Sequence, residues 1–316
     1  MTRLRTVDQE IFPLVLGGNT FGWTSDERTS DQVLDAYVDA GGNLIDTADV
    51  YSAWAPGHSG GESEIVLGRW LARSGRRDQV LVATKVSQHP QYPGLSAKNV
   101  EAAADESLLR LGLDVIDLYY AHFDDKDTPL EETAAAFDHL VKEGKVRAIG
   151  LSNYSSDRIR EWFSIARRDG LALPVALEPQ YNLVYRRSYE KDGLMQVAQE
   201  EDLCVFPYFA LASGFLTGKY RTEDDLKGRQ REGMVRDFFT RAGLDVVSAM
   251  DSIAKAHGVE PATVALAWLN RRPQIAAPIA SARTPAQLPA LLAAAKLELG
   301  DDEMSTLDEV SARVGA

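Results

Sequence analysis

The chain has one cysteine, Cys204, in 316 residues. A single thiol forms no intramolecular disulfide, so nothing points to an oxidising compartment. It sits in the apolar stretch Leu203-Cys204-Val205-Phe206, where a buried core thiol is expected. No run approaches 18 uncharged apolar residues, which excludes an ordinary membrane-spanning helix. Residues 1–10 are polar and charged, so no signal peptide is expected and the cytosol is the expected compartment. Basic residues are outnumbered by acidic ones, 34 against 47, for a formal charge of -13. That balance argues against non-specific binding to nucleic acid or anionic membrane. The five histidines (His58, His89, His122, His139, His257) show no zinc-ligand spacing, so no metal site is expected. A Gly-x-Gly-x-x-Gly turn is also missing, since Gly17-Gly18-Asn19-Thr20-Phe21-Gly22 has the wrong spacing.

What is present is an alternating pattern on 45% hydrophobic residues, enough for a large core. Apolar runs fall near residues 14–16, 43–45, 80–83, 115–120, 146–149, 175–177, 203–206 and 275–279. Helical periods lie between them, among them 30–40, 63–73, 97–111, 130–142 and 156–167. Thr29 and Ser30 read as one helix start, and Thr128-Pro129 as another. Gly41-Gly42, Gly75, Gly112 and Gly144 read as helix stops. About eight strand–helix units with no composition break predict one domain over 1–316, an α/β fold of (β/α)8 TIM-barrel type. An open doubly wound sheet is the architectural alternative. The longest irregular segment, 219–240, follows the seventh apolar run, and a loop of that length is more often functional than idle.

In an α/β barrel, chemistry collects at the C-terminal ends of the strands. The second apolar run ends in Asp46, with Tyr51 shortly after, and the third ends in Lys85. The fourth ends in His122, the fifth in Ser152-Asn153, the sixth in Gln180 and the seventh in Tyr208; the eighth leads to Arg283. Each has an ordinary structural explanation alone, such as a capping Asp46 or a core His122. Four titratable groups converging on one rim point instead to a site.

Several ordered blocks carry a resemblance. They are Asn43-Leu44-Ile45-Asp46-Thr47-Ala48-Asp49-Val50-Tyr51, Gly61-Glu62-Ser63-Glu64, Ala83-Thr84-Lys85 and Leu113-Asp114-Val115-Ile116-Asp117-Leu118 before His122. Further along come Gly144-Lys145-Val146-Arg147-Ala148-Ile149-Gly150-Leu151-Ser152-Asn153, Leu177-Glu178-Pro179-Gln180-Tyr181-Asn182, Gly214-Phe215-Leu216-Thr217-Gly218-Lys219-Tyr220 and Ala282-Arg283-Thr284-Pro285. In this order, over nearly the whole chain, they resemble the aldo-keto reductase family.

The resemblance implies an NADPH-dependent oxidoreductase that reduces aldehydes or ketones to alcohols, with Asp46, Tyr51, Lys85 and His122 as catalytic residues. Tyr51 is then the general acid. A free phenol is a weak acid at neutral pH, and the Lys85 ammonium is expected to lower its pKa. Asp46 would hold Lys85, and His122 would orient the carbonyl oxygen. The resemblance further implies that Ser152, Asn153 and Gln180 bind the coenzyme carboxamide and that Tyr208 stacks on its ring. Leu211, Ser213 and Gly214 would lie along the pyrophosphate. Arg283, with Ser281 and Gln287, would face a 2′-phosphate, favouring NADPH over NADH. Ala290-Leu291 and Phe209 depart from the family's usual Glu-Asn and Ser. A monomer acting on a small-molecule carbonyl compound is expected.

Trp23, Trp54 and Phe123 are candidates for the substrate pocket, with Phe238 and Phe239 as further aromatics in the long segment. Asp124, Asp125 and Asp127 lack calcium-loop spacing and read as a solvated loop capping the next helix. Two other classes compete. Gly57-His58-Ser59-Gly60-Gly61 matches the nucleophile-elbow pattern of serine hydrolases, but Ala55-Pro56 and a polar loop precede it instead of a strand. Channel-associated proteins resemble the family too; an N-terminal extension or four-fold assembly surface would mark that class, and this chain starts close to its first strand.

Overall fold

The structure, a computed structural model, describes residues 2–3, 9–228 and 232–315. Eight strands form one sheet: β1 (Val15–Gly17), β2 (Leu44–Asp46), β3 (Leu81–Val86), β4 (Leu118–Ala121), β5 (Ile149–Ser152), β6 (Ala176–Glu178), β7 (Cys204–Val205) and β8 (Ile279–Ala280). Their order is β7-β6-β5-β4-β3-β2-β1-β8, with every pairing parallel. Sequential order with β8 beside β1 is that of a closing barrel. The two ends meet, because Val205 bridges Ile275 in parallel and Ala276 N donates to Val205 O at 2.8 Å. The (β/α)8 architecture expected from the sequence is the one observed.

Helices α1 (Glu27–Asp39), α2 (Glu62–Ser74), α3 (Ala97–Leu111), α4 (Leu130–Lys142) and α5 (Ser156–Asp169) follow β1 to β5 in turn. The helix α6 (Leu194–Glu200) follows β6, and α7 (Arg241–His257) with α8 (Pro261–Asn270) follow β7. The first helix starts earlier than Thr29 and Ser30 suggest. Asp26 is its N-cap, accepting from Thr29 N at 2.8 Å, while the Ser30 hydroxyl donates to Asp26 O inside the first turn. The segment 219–240 is not wholly irregular: short helical turns occupy Glu223–Leu226 and Glu232–Arg236, and residues 229–231 lie outside the described residues. No helix among the described residues is long and apolar enough to cross a membrane.

The strands alternate between two cores. Leu44, Leu81, Ala83, Leu118, Tyr120, Ala148, Ala176 and Cys204 form one buried cluster inside the barrel. Ile45, Val82, Val86, Tyr119, Ile149, Leu151 and Leu177 join the larger cluster between strands and helices. Period-two alternation therefore directs Asp46, Lys85, Ser152 and Glu178 into the barrel at its upper end. Each strand begins later than its apolar run, by one residue at Val15 and by four at Ile279. Most strands also end later than their runs, because polar inward residues such as Asp46, Ser152 and Glu178 belong to the strands although they end the apolar pattern.

Helix α2 packs closely on α3 at Gly68, where a Cβ would lie 2.3 Å from Arg110 O and 2.8 Å from Leu111 C. Backbone cannot yield there as a side chain can. Gly68→Ala is expected to cost about 1–3 kcal/mol, read as a lower urea midpoint with an unchanged m-value.

Candidate active site

A cavity of about 1330 Å³ opens at the C-terminal ends of the strands. Its wall includes Asp46 and Tyr51 after β2, His122 and Phe123 after β4, Ser152 and Asn153 at β5, Glu178 at β6 and Tyr208 after β7. The far end is lined by Leu211, Ser213, Gly214, Ser281, Arg283 and Gln287. One cavity thus gathers nearly every site residue expected from the sequence.

Lys85 is fully buried behind that wall, at the base of Tyr51. An ammonium has three protons to give. Lys85 Nζ donates to Asp46 Oδ1 at 2.5 Å, to Thr47 O at 3.0 Å and to the Tyr51 hydroxyl at 3.1 Å. The Tyr51 hydroxyl is 3.4 Å from Asp46 Oδ2. Burial opposes the charge on Lys85, but Asp46 and Glu178 outweigh it and hold the ammonium protonated. Burial pushes the Asp46 carboxyl up, against the pull of Lys85.

The expectation for Tyr51 needs correcting. Its pKa is raised, not lowered, because burial of the phenolate outweighs the Lys85 ammonium, with Asp46 and Glu178 adding to the rise. The charge of Lys85 is largely committed to Asp46. Tyr51 therefore keeps its proton at neutral pH, as a proton donor must. His122 lies beside it, ring centroids 6.2 Å apart and edge to face. Burial, and then Lys85, push the His122 pKa well down, so the imidazole is neutral. Its Nδ1 is buried with no hydrogen-bond partner among the described residues.

The next polar layer is cross-braced. Asn153 Nδ2 donates to His122 O at 2.9 Å, and the Tyr208 hydroxyl donates to Asn153 Oδ1 at 2.8 Å. The Ser152 hydroxyl donates to Glu178 O at 2.8 Å. Gln180 bridges Tyr208 at the rim but does not line the cavity. The β6 residue that does line it is Glu178, to which sequence reasoning assigns no role. Glu178 Oε1 lies 3.4 Å from Lys85 Nζ. The signal that would have found it is the inward register, since Ala176 faces the barrel interior and Glu178 is two residues on.

Past Tyr208 the backbone runs left-handed at Phe209 (φ 50), Ala212 (φ 47), Ser213 (φ 56) and Gly214 (φ 98). Such conformations are costly for non-glycine residues and cluster at ligand-binding segments. Successive amides in these turns form concave anion-binding nests. Lys219, also missed, lines the cavity there. The Ser281 hydroxyl donates to Asn19 Oδ1 at 2.8 Å, and Arg283 N donates to Gln287 Oε1 at 2.7 Å. Ala290 and Leu291 line the same end, giving it an apolar patch.

The mouth is aromatic. Trp23 and Trp54 pack edge to face at 5.4 Å, Trp54 reaches Tyr51 at 6.0 Å, and Phe123 packs on His122 at 5.0 Å. Phe238 and Phe239 do not join them; both pack on Phe215, away from the cavity wall. The acidic loop does not cap α4. Asp124 pairs with Arg158 at 2.9 Å, and Asp125 accepts from Leu95 N and Thr128 Oγ1, each at 2.7 Å. Ser59 sits in an exposed loop with its amide on Glu62, so the hydrolase context is lacking.

Comparison with known proteins agrees with this geometry. The model of the "Aldo/keto reductase family" matches residues 13–312. "Protein tas" of Escherichia coli is 31% identical, over 95% of this chain and 94% of its own length. "Aldo-keto reductase yakc [NADP(+)]" of Schizosaccharomyces pombe is 32% identical, over 90% of this chain and 83% of its own. A "Putative voltage-gated potassium channel subunit beta" from the same yeast is 33% identical, over 83% of this chain and 77% of its own. With a family match across nearly all of its length, the chain belongs to the aldo/keto reductase family.

Proposed function

We propose that this chain is an NADPH-dependent carbonyl reductase, a single domain whose Tyr51 protonates the substrate oxygen. The observation that carries the reading is the hydrogen bond from a buried, carboxylate-held Lys85 to a cavity-lining Tyr51 at 3.1 Å. A bound nicotinamide coenzyme supplies a hydride; the chain supplies the proton and the geometry. Tyr51 holds the proton at its hydroxyl. As that proton leaves, Lys85 meets the phenolate charge where it develops, the kind of preorganised stabilisation that water cannot match. Asp46 keeps Lys85 charged and aimed. Neutral His122 offers a ring nitrogen to orient the carbonyl oxygen without competing as an acid. Trp23, Trp54 and Phe123 form an apolar wall for the remainder of an aromatic or apolar aldehyde or ketone and exclude water.

The residues fit a dinucleotide. Ser152, Asn153 and Tyr208, with Gln180 at the rim, offer hydroxyl and amide groups for a carboxamide and a ring face for stacking. Leu211, Ser213 and Gly214 belong to the left-handed segment suited to a pyrophosphate. Ser281, Arg283 and Gln287 suit a 2′-phosphate, because a guanidinium fork matches two phosphate oxygens. The Arg283 guanidinium is exposed, with no ion pair among the described residues. Arg283→Ala is expected to weaken NADPH binding about 10- to 100-fold and to leave NADH binding near wild type. Equal losses for both nucleotides would remove the 2′-phosphate assignment. The reductase reading itself is tested by product stoichiometry: one alcohol released per NADPH consumed with an aromatic aldehyde.

A further inference from the structure

Two buried carboxyl groups face one buried ammonium. Lys85 Nζ is 2.5 Å from Asp46 and 3.4 Å from Glu178, and all three side chains are almost fully buried. With both carboxyls ionised, the cluster would carry net negative charge away from water, which a low-dielectric surrounding strongly disfavours. Retaining one proton removes that charge. Geometry says which group retains it. Asp46 has the shorter contact with Lys85 and also accepts from Tyr51. Glu178 Oε2 is buried, and no group among the described residues donates to it. A bare carboxylate oxygen is costly there, whereas a protonated Glu178 can hydrogen-bond to the Asp46 carboxylate beside it, an interaction that favours the proton on Glu178 and the charge on Asp46.

The titratable groups around Glu178 are Asp46 and Tyr51 from the end of β2, Lys85 from β3, Tyr120 from β4 and Tyr208 after β7. The Tyr120 ring lies 5.7 Å from the Lys85 ammonium. His122, beyond Tyr51, is neutral. None of these supplies a second positive charge. We infer that Glu178 is a positioning residue that stores the cluster's proton and, by holding or releasing it, sets how readily Tyr51 gives up its own. The inference rests on the reductase reading of Tyr51. While Glu178 is protonated, Asp46 and Lys85 cancel and the surroundings of Tyr51 are neutral. Once Glu178 ionises, a negative charge stands near the forming phenolate and makes Tyr51 a weaker acid. Burial, reinforced by Asp46, pushes the Glu178 carboxyl up to about 8, within the range an assay can cross.

Infrared titration of the purified protein, without coenzyme or substrate, reads the carboxylic-acid C=O stretch directly. The expected result is a band that vanishes as pH rises through about 8 in the wild type and is missing in Glu178→Gln. Among the described residues Asp49 is the other buried acid with a strongly raised pKa, so Asp49→Asn should keep the Glu178 band. If Glu178→Gln does not fold, the Asp49→Asn titration decides: a band that survives there supports Glu178, and its loss overturns the assignment. In turnover, wild-type kcat for aldehyde reduction should step down through the same pH by up to about 10-fold, and the step should be absent in Glu178→Gln. Superimposable profiles, or an infrared band unchanged by Glu178→Gln, would overturn the inference. A titrating band in a protein that turns over no carbonyl compound would support the stored proton and count against the reductase reading instead.

Discussion

Replacing Tyr51 by phenylalanine is expected to lower aldehyde turnover by about 10²–10⁴-fold while NADPH affinity stays near wild type. The ring's packing survives this change, because its contacts with Trp54 and His122 are made by ring faces and edges. What disappears is one hydroxyl, the atom that takes a hydrogen bond from Lys85 at 3.1 Å and lies 3.4 Å from Asp46. Neither Asp46 nor His122 replaces that proton. Asp46 is committed to Lys85 at 2.5 Å, and His122 is held neutral by burial and by Lys85. Steady-state kinetics should therefore show kcat and kcat/KM falling together, the pattern of an interaction made in the transition state. A variant with wild-type kcat would remove Tyr51 from the mechanism.

Lys85→Met is expected to damage both activity and stability. Turnover should fall by about 10²–10⁴-fold, because Tyr51 loses the positive charge that meets its phenolate. Stability should fall by about 3–5 kcal/mol near neutral pH, since Asp46 and Glu178 are left buried without a cation. The loss should depend on pH. Burial raises the folded-state pKa of both carboxyls, so the folded variant binds more protons than the unfolded chain above the ordinary carboxyl range. Stability contributed by a raised group is complete below its unfolded pKa and is lost as pH rises through its folded pKa. In the wild type the pull of Lys85 limits the rise at Asp46, so only Glu178 contributes the full slope. In Lys85→Met both do, so urea-unfolding free energy should fall more steeply with rising pH, by about 1.4 kcal/mol per unit beyond wild type. Equal slopes would show that the ammonium does not limit the rise at Asp46.

Much of this was legible in the sequence, for identifiable reasons. Barrel strands buried on both faces read as apolar runs, and α3 and α4 were bounded correctly because Ser96 caps one and Gly112 ends it, while Pro129 precedes the other. The first helix begins before the apolar period does, because its N-cap, Asp26, is a polar residue outside that period. Tyr51, Lys85, Asp46 and His122 follow strand ends, where polar residues stand out against apolar runs. Glu178 ends a strand too, but Gln180, two residues on, is an equally polar candidate in the sequence, and only the inward register separates them. The sign of the Tyr51 shift was not legible at all. It depends on how deeply the phenol is buried and on how far Asp46 has already claimed the Lys85 charge, and both are set by packing between strands far apart in sequence. Phe238 and Phe239 show the same limit: an aromatic in a long loop can face a core such as Phe215 as readily as a cavity.

The most direct test of the reductase account is one cuvette. Purified protein is titrated with NADPH, and separately with NADH, by fluorescence, and an aromatic aldehyde is then added while coenzyme absorbance is followed. Saturable binding with NADPH favoured is expected, followed by loss of absorbance that requires the aldehyde. Failure to bind either nucleotide would contradict the whole reading of the cavity, and tight binding without turnover across a broad carbonyl panel would contradict the reductase.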